Sequence, residues 1–224
     1  MSQIPGDLRV RRTQKLIWDA FIVLVEERSF DAITVGEITS RAMVSRTAFY
    51  RYYQDKYDLV EKMFEEIVRS VNSEMDLFRR DVVDAFDGQY RPKSWKQLFE
   101  YAEALTVPEP LVTFFEHVIE YEQLYRALLG KKGSSWFVTR MREYLAEIIG
   151  ERLQELVMML NRKPLVEARA FADGFVATLI AAQFVAAITW WLEQEKPYTP
   201  HQIATYCYRT MCSLLKDVHT WDEK

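Results

Sequence analysis

With 224 residues, about half of them hydrophobic, the chain has enough apolar material for a sizeable core and room for one or two domains. Gly and Pro are sparse, seven of each, and no extended stretch alternates apolar with polar residues, which excludes a β-rich fold and predicts an all-α protein. The formal net charge of −4 excludes a uniformly basic nucleic-acid binder, but the charge is uneven: Met1 to Val60 holds nine Lys or Arg against eight Asp or Glu, about +1, leaving about −5 on the rest.

Leu16, Ile17, Ala20, Phe21, Leu24 and Val25 recur at i, i+3, i+4 spacing, which predicts an amphipathic helix from near Leu8 to near Ser29. Thr34 is placed to cap a second helix, and Glu37, three residues on, to reach back to the cap in a capping box. Ile38 and Ala42 share the inner side of that helix, Met43 and Val44 make a turn, and Ser45 caps a third helix over 46–53. At the helical period Phe49 and Tyr53 lie on one face, and Arg46, Thr47, Tyr50 and Arg51 lie on the other. From Arg41 to Lys56 four basic residues stand against one acidic residue, so the positive charge is concentrated here. Arginine bonds guanine O6 and N7 in the major groove, threonine contacts thymine methyls, and tyrosine hydroxyls donate to phosphates. Taken alone, such a helix is as compatible with a solvated hairpin as with a DNA reader, and its neighbours decide. Asp55 caps a long helix on which Leu59, Met63, Ile67 and Val71 step by four.

The segment Asp87 to Pro92 ends this first group, and Ser94 with Gln97 opens a helix to about Thr106. Pro108 and Pro110 break the chain before a helix from Leu111 to Leu129, and Gly130 to Ser135 is a loop. A long amphipathic helix is predicted from Trp136 to Leu160, another from Pro164 to about Glu195, and a last one to about Val218 opened by Thr199, Pro200 and Gln202. About nine helices result. The division expected is a helix-turn-helix domain over 1–55, a connecting helix over 56–90 and a helical body over 91–224. The run from Phe175 to Leu192 approaches membrane length but contains Thr178, Gln183 and Thr189, and is read as a buried helix. The N-terminus lacks the apolar segment of a signal peptide. Cys207 and Cys212, five apart on different helix faces, suit two thiols in a reducing cytoplasm.

The order helix, helix-turn-helix, long helix, with Thr-Val-x-x-Ile from Thr34 and Val-Ser-x-x-x-x-Tyr-Arg-Tyr-Tyr-x-x-Lys-x-x-Leu from Val44 to Leu59, resembles the DNA-binding domain of TetR-family transcriptional regulators over about Arg9 to Ile67. The resemblance implies that Arg46 and Thr47 read base edges, with Arg51 adding a base or backbone contact. It implies that Thr34, Tyr50, Tyr52 and Lys56 contact phosphates, and that Phe49 and Tyr53 pack the recognition helix onto the first. Arg9, Arg11 and Arg12, ahead of the apolar stripe of the first helix, are read either as DNA contacts or as solvated tail charges. Met43 departs from the family pattern, which has Gly at this turn.

The segment from Phe114 to Gly133 is also similar to the C-terminal domain of a TetR subgroup that includes activators of dihydroxyacetone kinase operons. The resemblance implies a C-terminal body that binds a small effector and dimerises through its last two helices, so that the partners are a second copy of the chain and a palindromic operator in double-stranded DNA. The small residues Gly174, Ala177, Ala181, Ala182, Ala186 and Ala187 suit close helix approach. His117, Tyr121, Trp136, Met141, Phe175 and Thr178 are candidates to line a pocket for an apolar or aromatic ligand of unknown identity. His117, His201 and His219 have no metal-ligand spacing, and no phosphate loop or nucleophile elbow appears, so neither cofactor, metal nor catalysis is expected. The working expectation is a cytoplasmic, ligand-released repressor with no membrane attachment; the rival is a TetR-fold coactivator that works through protein partners without binding an operator.

Overall fold

A computed structural model describes residues 5–66, 69, 106–130, 133–160 and 174–218. Every regular element among them is helical. In chain order these are α1 (Pro5–Glu27), a 3₁₀ turn (Phe30–Ala32), α2 (Val35–Arg41), α3 (Arg46–Tyr50) and α4 (56–66), followed by α5 (Glu109–Glu120), α6 (Glu122–Leu129), α7 (Ser135–Leu160), α8 (Phe175–Glu193) and α9 (Pro200–Val218). They group into two compact units, one of residues 1–70 with 121–134, the other of 71–120 with 135–224. In this grouping the start of the connecting helix falls with the helix-turn-helix, and so does α6.

The first unit is built on the apolar stripe of α1. Ile17, Ala20, Phe21, Leu24 and Val25 are buried, as are Ile38 and Ala42 from α2 and its cap, Leu59, Val60, Met63 and Phe64 from α4, and Leu124, Leu128 and Leu129 from α6. Within this unit α1 packs on both α2 and α6. Phe30 enters the core from the 3₁₀ turn, its ring edge-on to Phe21 at 6.1 Å. At the rim, Arg41 grips Glu27 through both carboxylate oxygens, at 2.6 and 3.0 Å, and Arg28 pairs with Glu37. Exposed pairs of this kind contribute up to about 1 kcal/mol each; their effect is to fix where α2 starts and ends relative to α1.

In the second unit α8 packs along α7 and against α9, and α5 lies against α9. Val176, Ile180, Ala181, Phe184, Ile188 and Trp191 form the buried side of α8. Phe115 from α5 meets the rings of Trp191 at 5.7 Å and Phe184 at 6.3 Å. Two side chains of α8 donate to the backbone beyond it: Trp191 Nε1 to the Tyr198 carbonyl at 2.9 Å, and Gln183 Nε2 to the Cys207 carbonyl of α9 at 3.0 Å. The two cysteines are buried on α9 with no disulfide, and burial pushes the Cys207 thiol up to about 11.

One predicted helix is divided. The run from Leu111 to Leu129 breaks at Tyr121, whose backbone leaves the helical region at φ −109°, ψ 33°, and its two halves belong to different units. Within the run predicted from Pro164 to Glu195, α8 starts at Phe175 with Gly174, left-handed at φ 80°, as its N-cap; residues 161–173 lie outside the described set, as does the Ser94–Gln97 cap. Gly174 was read as a small packing residue, but a Cβ there would touch nothing within 4 Å, so its role is conformational. Accordingly Gly174→Ala is expected to cost about 1 kcal/mol through backbone strain alone, measured by chemical denaturation.

Candidate nucleic-acid interface

The helix-turn-helix is set by local hydrogen bonds. The Thr34 hydroxyl accepts from Glu37 N at 3.3 Å, and the Glu37 carboxylate accepts from Thr34 N at 2.9 Å and from its hydroxyl at 2.8 Å, completing the capping box. These bonds, with Arg28 beside it, hold the Glu37 carboxyl below its usual range. Ser45 Oγ accepts from Ala48 N at 3.1 Å and opens α3. Asp55 accepts from the N–H groups of Tyr57 and Asp58 at 2.8 and 2.9 Å, opening α4.

The α-helical part of the recognition segment stops at Tyr50, with turns carrying the chain on to Tyr53. Phe49 is fully buried and Tyr53 nearly so, their rings 5.4 Å apart. The Tyr53 hydroxyl accepts from Trp18 Nε1 at 2.8 Å, a direct bond from α1 to the end of the recognition segment, and burial raises the phenol's pKa and keeps it protonated. With that side fixed, Arg46, Thr47, Tyr50 and Arg51 are all exposed, as is Thr34; Tyr52 is half-buried beside Tyr53. The structure thus brings the expected base-reading and phosphate-contacting side chains, Lys56 apart, to the outer side of one small segment. The first helix, α1, begins at Pro5 and carries Arg9, Arg11 and Arg12 on its first turns, where their side chains are exposed.

Lys56, a phosphate contact by the family resemblance, is bonded within the protein. Its ammonium donates to the carbonyls of Phe30, Asp31 and Ile33, each at 2.9 Å, and lies 4.7 Å from the centre of the Phe30 ring. An ammonium has three protons, and all three are used; Lys56 pins the 3₁₀ corner to the start of α4. The partners lie 23 to 26 residues earlier, so no local pattern announces this role. Met43 adopts φ 52° in the α2–α3 turn with its side chain 91% exposed, so it accepts the left-handed conformation that favours glycine and gains no burial in return.

The pocket candidates lie on α5, α7 and α8 and at the start of α6. Phe175 is 50% exposed, and Thr178 is exposed with its hydroxyl donating to the Gly174 carbonyl at 3.0 Å; both are on the exposed side of α8. Met141 is fully buried in the second unit, while Trp136 is half-buried on α7. Tyr121 groups with the first unit and His117 with the second. Burial holds the His117 imidazole down to about 4, so it is neutral near pH 7 and its 3.9 Å approach to Glu120 is not an ion pair there.

Two stability measurements follow. Met43→Gly is expected to stabilise the protein by about 0.5–1 kcal/mol, read from its denaturation midpoint. Lys56→Met is expected to destabilise it by about 1–3 kcal/mol while leaving the salt dependence of DNA binding unchanged. Unchanged stability with a salt slope lowered by about one would instead make Lys56 a phosphate contact.

Comparison with known proteins agrees with this geometry. Residues 17–63 match the model of bacterial regulatory proteins of the tetR family, and residues 106–212 match a transcriptional regulator C-terminal region of the same family. The uncharacterized HTH-type transcriptional regulator YxbF of Bacillus subtilis (strain 168) is 37% identical over 49 residues, 22% of this chain and 13% of that protein. The HTH-type dhaKLM operon transcriptional activator DhaS of Lactococcus lactis subsp. lactis (strain IL1403) is 31% identical over 67 residues, 30% of this chain and 36% of its own. The chain therefore spans much less than two thirds of the curated relatives it matches. A TetR transcriptional regulator from Streptococcus agalactiae 2603V has a similar fold, with a TM-score of 0.52 at 23% identity over 92% of this chain and 97% of that one. With the helix-turn-helix and the C-terminal region both matched, and together spanning more than half of the sequence, the chain belongs to the TetR family of DNA-binding transcriptional regulators and is not an enzyme.

Proposed function

We propose that the chain is a homodimeric repressor that occupies a palindromic operator and is released by a small, mainly apolar or aromatic ligand, acting in the cytoplasm. The observation that carries operator binding is the exposed set Arg46, Thr47, Tyr50 and Arg51 on a segment whose opposite side, Phe49 and Tyr53, is buried. Arg46 and Thr47 stand to read base edges, Arg51 to contact base or backbone, and Tyr50, Tyr52 and Thr34 to contact phosphates. The acidic remainder of the chain is repelled by phosphate, which favours approach through this segment.

Dimerisation is supported by α8. Phe175, Leu179 and Trp190 are 50%, 37% and 46% exposed, and with Ala182 and Ala186 they make an apolar stripe along a helix whose other side is already packed. By length and composition this helix could cross a membrane, but half of it is buried within the protein. A second copy laid on the stripe would bury what a lone chain leaves in water and would place two recognition segments on one duplex. Ligand binding in the second unit would change their separation from the spacing of successive major grooves, roughly 34–36 Å, and so weaken operator affinity. Repression by occupancy needs only these two surfaces. Activation through a protein partner needs a third, and is favoured only by the partial match to a protein named as an activator.

Selection of bound sequences from a random DNA pool tests this reading. Expected are two inverted half-sites, with Arg46→Ala costing about 1–3 kcal/mol and relaxing preference at one base step. Recovery of no specific sequence, together with capture of a protein factor, would favour the coactivator.

A further inference from the structure

Arg46 is exposed, but its guanidinium is not directed at random. A Cβ built on Gly36 would lie 2.6 Å from Arg46 Nη2, 3.5 Å from Cζ and 3.7 Å from Nε. The guanidinium of the first residue of α3 therefore lies across the first turn of α2, in the space that any other residue at position 36 would fill. Gly36 has an ordinary backbone, with no positive φ, so neither turn geometry nor strain calls for glycine there. Glycine inside a helix is also unfavourable relative to alanine. What glycine provides at this position is room.

Attraction does not explain the placement. The start of α2 is the positive end of a helix, and the nearby Glu37 carboxylate is already engaged by Thr34 and Arg28. The guanidinium rests where the absence of a side chain leaves the site open, beside the first turn of α2. A long side chain held in this way loses less conformational freedom when it meets a base, and it reaches outward along one direction.

We propose that Gly36 is a positioning residue for DNA reading: by carrying no side chain it sets where the Arg46 guanidinium lies, and hence which base edge Arg46 selects. This rests on the reading of Arg46 as a base contact, and the experiment separates the two. DNA is selected from a random pool by the full-length protein and by Gly36→Ala, Arg46→Ala and the double variant, and the melting temperature of each is recorded. The contact displaced by the new methyl is the far end of a flexible side chain, so Gly36→Ala is expected to fold with an equal or higher melting temperature. It is expected to lose roughly threefold or more of the preference at the base step that Arg46→Ala relaxes, and to change nothing further when Arg46 is already Ala. If Arg46→Ala alters selection and Gly36→Ala does not, or if Gly36→Ala acts equally in both backgrounds, the positioning role is overturned while the reading of Arg46 stands. If Arg46→Ala leaves selection unchanged, both fall.

Discussion

A five-residue helix has no stability of its own, since nucleation costs more than its few hydrogen bonds return. Everything α3 presents to a ligand therefore depends on the burial of Phe49 and Tyr53. Two aromatic side chains fully withdrawn from water contribute on the order of 1.5–3 kcal/mol each, far more than any surface pair in the region, and the Trp18–Tyr53 hydrogen bond fixes the rotation that burial alone would leave loose. The Ser45 cap and the Lys56 clamp on the 3₁₀ corner then set the ends. The outward direction of Arg46, Thr47, Tyr50 and Arg51 is the consequence of this inward packing.

Charge and packing divide the chain in related ways. The helix-turn-helix holds the concentrated positive charge of an otherwise acidic protein, while α8, in the second unit, has an uncharged, partly uncovered apolar stripe. One surface is suited to a polyanion and the other to a like surface. The grouping of α6 with α1 means that residues 121–134 are held with the helix-turn-helix although the sequence reaches them only after α5.

The features readable from sequence were those whose cause is local. The capping box of Thr34 and Glu37, the Ser45 cap and the Thr199–Gln202 cap each involve residues three apart, and each forms. The two-faced character of α3 follows from a helical period, and it too is present. The break at Tyr121 was not legible because hydrophobic periodicity runs through it, and only its backbone angles reveal it. The bonds of Lys56 were not legible because its acceptors are carbonyls of a distant corner, and carbonyls have no sequence signature. The exposure of Phe175 and Thr178 was not legible either, since composition does not say which side of an apolar helix remains uncovered. The closeness of Gly36 to Arg46 is of the same non-local kind.

The central claim is that this protein reads DNA with the outer side of α3, two copies to a site. It is tested most directly by a structure of the protein bound to a duplex selected from a random pool. The account predicts α3 of each protomer in successive major grooves of one duplex face, with Arg46 and Thr47 at base edges and Phe49 still buried. DNA contacted by a different surface, or by one protomer alone, would contradict it.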